Sequence, residues 1–256
     1  HWEFDKTHCL EHLPEPTFRS NSTRISYIVN LEVLDLRNNS LTGSIPNGLW
    51  NLTRITLLYL SGNRLSGEIP RKLGHQENLE NLDLSGNSLT GAIPSGLGNL
   101  TKLTTLHLGK NLLSGQVLRE LGYAVNLEQL NLYYNRLSGS ISNSLGNLTK
   151  LTILELLLNQ LSGPIPQEFS KLMSLVQLEL ALNILSGSLS SGLCSGGQLQ
   201  HLSAAGNKLA GPLPSSLLSC ASLVRVRLQQ NNFKGDITRM SRQGPKPVVE
   251  WWNRLE

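Results

Sequence analysis

Aromatic residues are scarce in this 256-residue chain, 5% in all, with 4 Trp, 5 Tyr and 4 Phe, and methionine occurs only twice. A core built on interlocked rings is therefore excluded, and the interior must be aliphatic. Charge is also sparse, at 16%, and the net +4 comes from Lys and Arg scattered along the chain without runs. That pattern leaves no footprint for nucleic acid and only a mild attraction to acidic matrices such as pectin. No apolar stretch reaches the roughly 18 residues of a membrane span. The chain opens on His1 without an apolar leader, which reads as a product from which a leader has been removed. Catalytic signatures are missing too. There is no His-Glu-x-x-His, Gly-x-Ser-x-Gly, phosphate-cradling glycine loop or calcium loop, and His75, His107 and His201 fall far apart with no cysteine nearby. The expectation is a protein without enzymatic activity, metal or cofactor.

What is abundant is leucine, together with 23 Gly and 11 Pro that follow no Gly-x-y period. Aligning Leu-x-Leu pairs gives repeats of 24 residues starting at Leu31, Ile55, Leu79, Leu103, Leu127, Leu151, Leu175, Leu199 and Leu223, with no insertion. The template is L-x-x-L-x-L-x-x-N-x-L-x-G-x-I-P-x-x-L-x-x-L-x-x. Its Asn (Asn39 to Asn231) and its Gly (Gly43 to Gly235) are present in all nine copies. A column of Asn amides can bond backbone groups at the turn leaving each strand, and the Gly fits a tight turn. Strand-like alternation sends Leu82 and Leu84 inward and Asn81, Asp83 and Ser85 out onto a concave face. The later leucines fill the wedge toward the convex side, and since one repeat cannot bury both its faces, stability comes from stacking.

Three segments follow: residues 1–30 as an N-terminal cap and degenerate first repeat, 31–238 as nine repeats, and 239–256 as an irregular basic tail. Val248, Val249, Trp251 and Trp252 of that tail either fold back as a lid or stay disordered. Cys194 and Cys220 fall on the convex sides of adjacent repeats. They suit either a disulfide or two small buried hydrophobes, and Cys9 is left over. Sequons for N-glycosylation occur at Asn21, Asn38, Asn51, Asn99 and Asn147, the last three at one template position in alternate repeats.

The runs Leu41-Thr-Gly-Ser-Ile-Pro46, Leu65-Ser-Gly-Glu-Ile-Pro70 and Leu161-Ser-Gly-Pro-Ile-Pro166 resemble the plant-specific leucine-rich repeat. That family comprises ectodomains of receptor-like kinases and receptor-like proteins, and wall proteins such as polygalacturonase inhibitors. The resemblance implies a right-handed superhelix with a parallel concave sheet, a second sheet beside the Gly-x-Ile-Pro segments, and 3-10 or short helices on the convex side. It also implies an extracellular location. The segments Leu193-Cys194-Ser-Gly-Gly and Ser219-Cys220-Ala-Ser-Leu223-Val-Arg225-Val-Arg227 are similar to the MIK-type receptor-like kinases and the wider peptide-hormone receptors. There an Arg-x-Arg pair contacts a peptide's terminal carboxylate, a role this resemblance gives to Arg225 and Arg227. The paired-cysteine cap, further repeats, membrane helix and kinase of those receptors do not appear in the sequence.

Function is expected on the concave face, whose outward residues are free of the repeat's packing demands. Early rungs are acidic (Glu32, Asp35, Glu80, Asp83), with Arg37 among them. The middle is apolar and aromatic, with Leu57 and Tyr59 first and then Tyr133, Tyr134, Ile153, Leu157, Leu158 and Leu182. Tyr134, Leu158 and Leu182 share one column, Glu155 and Glu179 are further candidate contacts, and the far end carries His201, Arg225 and Arg227. Nine strands at about 4.8 Å span roughly 40 Å, the length of an extended peptide of about 12 residues. The expected partner is a secreted peptide or protein, with a co-receptor kinase as a further possible partner. The alternative is a secreted defence protein that inhibits microbial wall-degrading enzymes.

Overall fold

The computed structural model describes residues 30–235 and 248–250. Each repeat makes one rung of a solenoid. Three residues around the first inward leucine form a strand, as in Val33–Asp35, Leu57–Tyr59 and Asn81–Asp83, and so on to Arg225–Arg227. These strands pair in parallel with every register advancing by one whole repeat, for example Leu82 beside Leu106 and Leu106 beside Leu130. No residue is inserted between these rungs, so the faces never swap.

The leucine columns are almost wholly buried and run the length of the solenoid as one core, with Phe169 its largest fully buried side chain. The Asn column closes the strand exits. Asn111 Nδ2 donates to Leu84 O at 3.0 Å in the rung before and to Leu108 O at 3.1 Å in its own rung, while its Oδ1 accepts from Leu89 N at 3.0 Å. The same three bonds recur at Asn63, Asn87, Asn135, Asn159, Asn183, Asn207 and Asn231. The template Gly is left-handed in every copy, from Gly43 at φ 84° to Gly235 at φ 123°, which a side chain would resist.

A second parallel layer forms where the chain leaves the Asn, as in Arg64–Glu68, Arg136–Ser140 and Lys208–Gly211. Its strands end on the template Gly or within two residues of it and so lie ahead of the Ile-Pro segment. It divides into three-stranded and six-stranded parts, which Leu112 N to Leu89 O and Ser114 N to Gly91 O, both 2.8 Å, still join. On the convex side six 3-10 turns, such as Asn47–Asn51 and Ser95–Asn99, and one α-helical turn, Ser215–Leu218, are present among the described residues. They pack so closely that a Cβ on Gly98 would sit 2.0 Å from Glu120 O, and one on Gly122 2.3 Å from Ser144 O.

The tail departs from the irregular course expected of it. Val248–Glu250 forms a tenth strand beside Arg225–Arg227, with Glu250 in register with Arg227. This rung is 23 residues on, one short of the repeat, and Gly244-Pro-Lys-Pro247 hid it from a period-based reading. Cys9, Asn21, Trp251, Trp252 and the N-terminal cap lie outside the described residues.

Candidate functional site

The concave sheet exposes two columns of side chains. One runs through Gln129, Ile153, Gln177, His201 and Arg225, and the other through His107, Asn131, Glu155, Glu179, Ser203 and Arg227. The structure thus brings Glu155, Glu179, His201, Arg225 and Arg227 onto one surface. Arg225 is exposed and Arg227 half-buried, on either side of the buried Val226 that pins their strand to the core.

Glu155 and Glu179 are register neighbours and both are half-buried. Burial pushes the Glu155 carboxyl above the usual carboxylate range, against the pull of His107 and a hydrogen bond from Asn131. Asn131 Nδ2 donates to its Oε2 at 2.5 Å and Gln177 Nε2 to its Oε1 at 2.9 Å. Glu179 is raised for the same first reason. Its bond with Ser203 opposes the shift, the Glu155 charge adds to it, and Arg227 and Arg225 draw it down. The arginines and Glu179 therefore already share a field across one intervening rung. Asn131, Gln177 and Ser203, which hold these carboxylates, were missed in the sequence, although their template positions mark them as outward.

Tyr133 and Leu157 stand at the edge of the sheet, half-buried. The Tyr133 ring lies against the bare backbone of the preceding rung, where a Cβ on Gly109 would come within 2.5 Å of it. Lys110 Nζ sits 5.8 Å from the ring centroid, within cation–π reach. Tyr134, Leu158 and Leu182 occupy the next column, and here the structure adds what alternation could not show. All three are left-handed, at φ 52°, 55° and 57°. Other rungs fill this column with Gly62, Gly86 and Gly206, or with Asn38, Lys110 and Gln230. The glycines were the available signal. Tyr134 is 57% exposed and Leu182 49%, so a rim of apolar side chains is held at a conformational cost of about 1–2 kcal/mol per residue.

At the other end Arg37 does not stand free over the early acidic rungs. Its guanidinium grips Asp35 and lies 4.8 Å from the centroid of the Tyr59 ring. Of the sequons, Asn38 is exposed and left-handed at φ 53°, while Asn51, Asn99 and Asn147 are exposed at the ends of convex 3-10 turns, away from the concave face. Cys194 and Cys220 are joined as a disulfide, with Cα atoms 5.9 Å apart. Among the described residues no cluster of His, Cys, Asp or Glu is arranged to hold a metal, and no helix is long and apolar enough to cross a membrane.

Stacked rungs, an Asn ladder and an open concave sheet define a leucine-rich-repeat solenoid. Residues 17–237 match the family described as leucine-rich repeat region, and the chain belongs to that family. Plant receptor kinases are among its relatives. It is 39% identical over 64 residues, 23% of this chain and 10% of the relative, to the calmodulin-binding receptor kinase CaMRLK of Arabidopsis thaliana. The fold matches the Arabidopsis thaliana GASSHO1/SCHENGEN3 ectodomain, solved with CASPARIAN STRIP INTEGRITY FACTOR 2. That match has a TM-score of 0.81 at 37% identity, over 82% of this chain and 26% of that one. It also matches the Arabidopsis receptor kinase HAESA, solved with the peptide hormone IDA and the co-receptor SERK1, with a TM-score of 0.77 at 37% identity, over 81% of this chain and 35% of that one. The chain thus spans a tenth of the curated relative and about a quarter to a third of these ectodomains.

Proposed function

We propose that this chain is an extracellular ligand-binding module of a plant receptor-like kinase or receptor-like protein, which takes a secreted peptide or protein along its concave face. The observation that carries the reading is Arg225 and Arg227 on one strand, the last but one of that face, approached through the apolar positions Leu157, Leu158 and Tyr133. A planar guanidinium fork suits a carboxylate, and a terminal carboxylate is the one such group every unmodified peptide has. Relatives solved with peptide ligands support the reading, and the one solved with SERK1 supports a co-receptor kinase as a further partner. Glu179 would set the fork's strength, since a ligand carboxylate must compete with it for the same arginines.

Isothermal titration against the CASPARIAN STRIP INTEGRITY FACTOR 2 and IDA peptides, each as free acid and C-terminal amide, tests the reading. A charge-assisted bond is worth about 1.5–3 kcal/mol. Amidation, or Arg225→Ala with Arg227→Ala, is therefore expected to weaken binding about 10- to 100-fold. Equal affinity for acid and amide rejects the carboxylate role. Inhibition of fungal pectinases without peptide binding would favour the defence protein.

A further inference from the structure

The concave face leaves a regular feature of the opposite flank unused. The template position of Asn51, Asn99 and Asn147 is filled in the rungs between by His75 and Tyr123. Beside Asn99 lies a hollow of about 440 Å³, walled by His75, Glu77 and Asn78 of the preceding rung and by Thr101 and Lys102 of its own. Its polar frame is Lys102 Nζ donating to Asn78 Oδ1 at 2.8 Å, with Asn78 Nδ2 donating to Thr53 O at 2.9 Å.

Two rungs on, the frame returns. Lys150 Nζ donates to Asn126 Oδ1 at 2.8 Å, and Asn126 Nδ2 to Thr101 O at 2.6 Å. What differs is the wall next to Asn147, where Tyr123 and Val125 replace His75 and Glu77. Tyr123 is 53% exposed and Val125 47%, on a flank where neither serves the core or the concave surface. An exposed ring and an aliphatic neighbour one rung from an exposed sequon, beside a lysine and an amide, match the two sides of an N-acetylhexosamine. That sugar has a C–H face for the ring, and hydroxyl and acetamido groups for the polar frame.

We propose that this flank is a carbohydrate seat for the chain's own N-glycan, with the first N-acetylglucosamine on Asn147 lying over Tyr123 and Val125 and bonding to Lys150 and Asn126. The linkage forms during secretion. Asn147 Nδ2 bonds to C1 of a lipid-diphosphate-linked oligosaccharide, the lipid diphosphate leaves, and Nδ2 gives up one proton. The glycan then stiffens rungs that come together where Gly122 faces Ser144, and marks this flank as one that no protein partner covers. The proposal rests on the extracellular reading above.

The test uses the chain secreted from plant cells, with its glycans trimmed enzymatically to one N-acetylglucosamine per site. Peptide mass spectrometry reads occupancy, and urea unfolding compares sugar-bearing chain with Asn147→Gln, in wild-type and Tyr123→Ser backgrounds. The sugar is expected to shift the unfolding equilibrium by about 3- to 10-fold in the wild type and by less than 2-fold without Tyr123. An equal shift in both backgrounds, or Asn147 vacant while Asn99 is occupied, overturns the seat. All sites vacant in secreted protein overturns the seat and counts against the extracellular reading as well.

Discussion

Replacing Asn111 by alanine should loosen the solenoid at its middle. This side chain is 4% exposed and closes three bonds at once, to Leu84 O, Leu108 O and Leu89 N. Alanine leaves Leu89 N without a partner beside the leucine core and removes one of the two amide donors that Leu84 O and Leu108 O each hold, the others being Asn87 and Asn135. The stranded N–H costs about 1–3 kcal/mol and each carbonyl bond given up about 0.5–1.5 kcal/mol, so the loss should be about 2–6 kcal/mol, a large part of the roughly 5–15 kcal/mol that holds a domain together. In urea, with a slope of about 2 kcal/mol per M, the midpoint followed by far-ultraviolet circular dichroism should fall by about 2 M. Asn111→Asp separates the roles. It keeps an acceptor for Leu89 N but turns lone pairs toward two carbonyls and buries a charge, so it should cost at least as much as alanine. A loss below about 1 kcal/mol for alanine would refute the reasoning, for it would mean that water satisfies Leu89 N and that the ladder is not what joins the rungs.

Other substitutions probe other links. Gly122→Ala places a Cβ 2.3 Å from Ser144 O and should destabilise by about 1–3 kcal/mol in the same unfolding assay, more than at an open convex position. Tyr134→Gly relieves a left-handed side chain that is largely exposed, so stability should hold or rise by up to about 1 kcal/mol while peptide affinity falls, as titration will show. Glu155 and Glu179 have folded-state pKa values raised by burial. Their stabilising contribution is therefore full below the unfolded carboxylate value and is lost as pH rises through the folded one. Glu179→Gln should accordingly raise stability at neutral pH and make no difference in acid, as unfolding at both pH values will show.

The strands, the inward leucines and the two fixed columns were legible because each repeat states them again in the same place, and nine statements leave no choice of register. The sites of individuality were harder. Tyr134, Leu158 and Leu182 could be placed in one column from spacing, but their left-handed backbone is a property of the turn, readable only through the glycines that share it. Arg37 looked like a lone cation among acids, and only side-chain geometry shows it folded onto Asp35 and Tyr59. The strand Val248–Glu250 was hidden because its rung is one residue short. The hollow beside Asn99 and the Lys150–Asn126 frame near Asn147 arise from two rungs together, and a repeat-by-repeat reading cannot see across that boundary.

The proposed ligand site is the concave face between Tyr133 and Arg227. Hydrogen–deuterium exchange with the tightest-binding peptide of the titration tests it most directly. The account predicts slowed exchange in the strands from Gln129–Asn131 to Arg225–Arg227 and in the turns that carry Tyr134, Leu158 and Leu182, with the convex turns unchanged. Slowed exchange confined to the convex turns or to the flank of Asn51, Asn99 and Asn147 would contradict it.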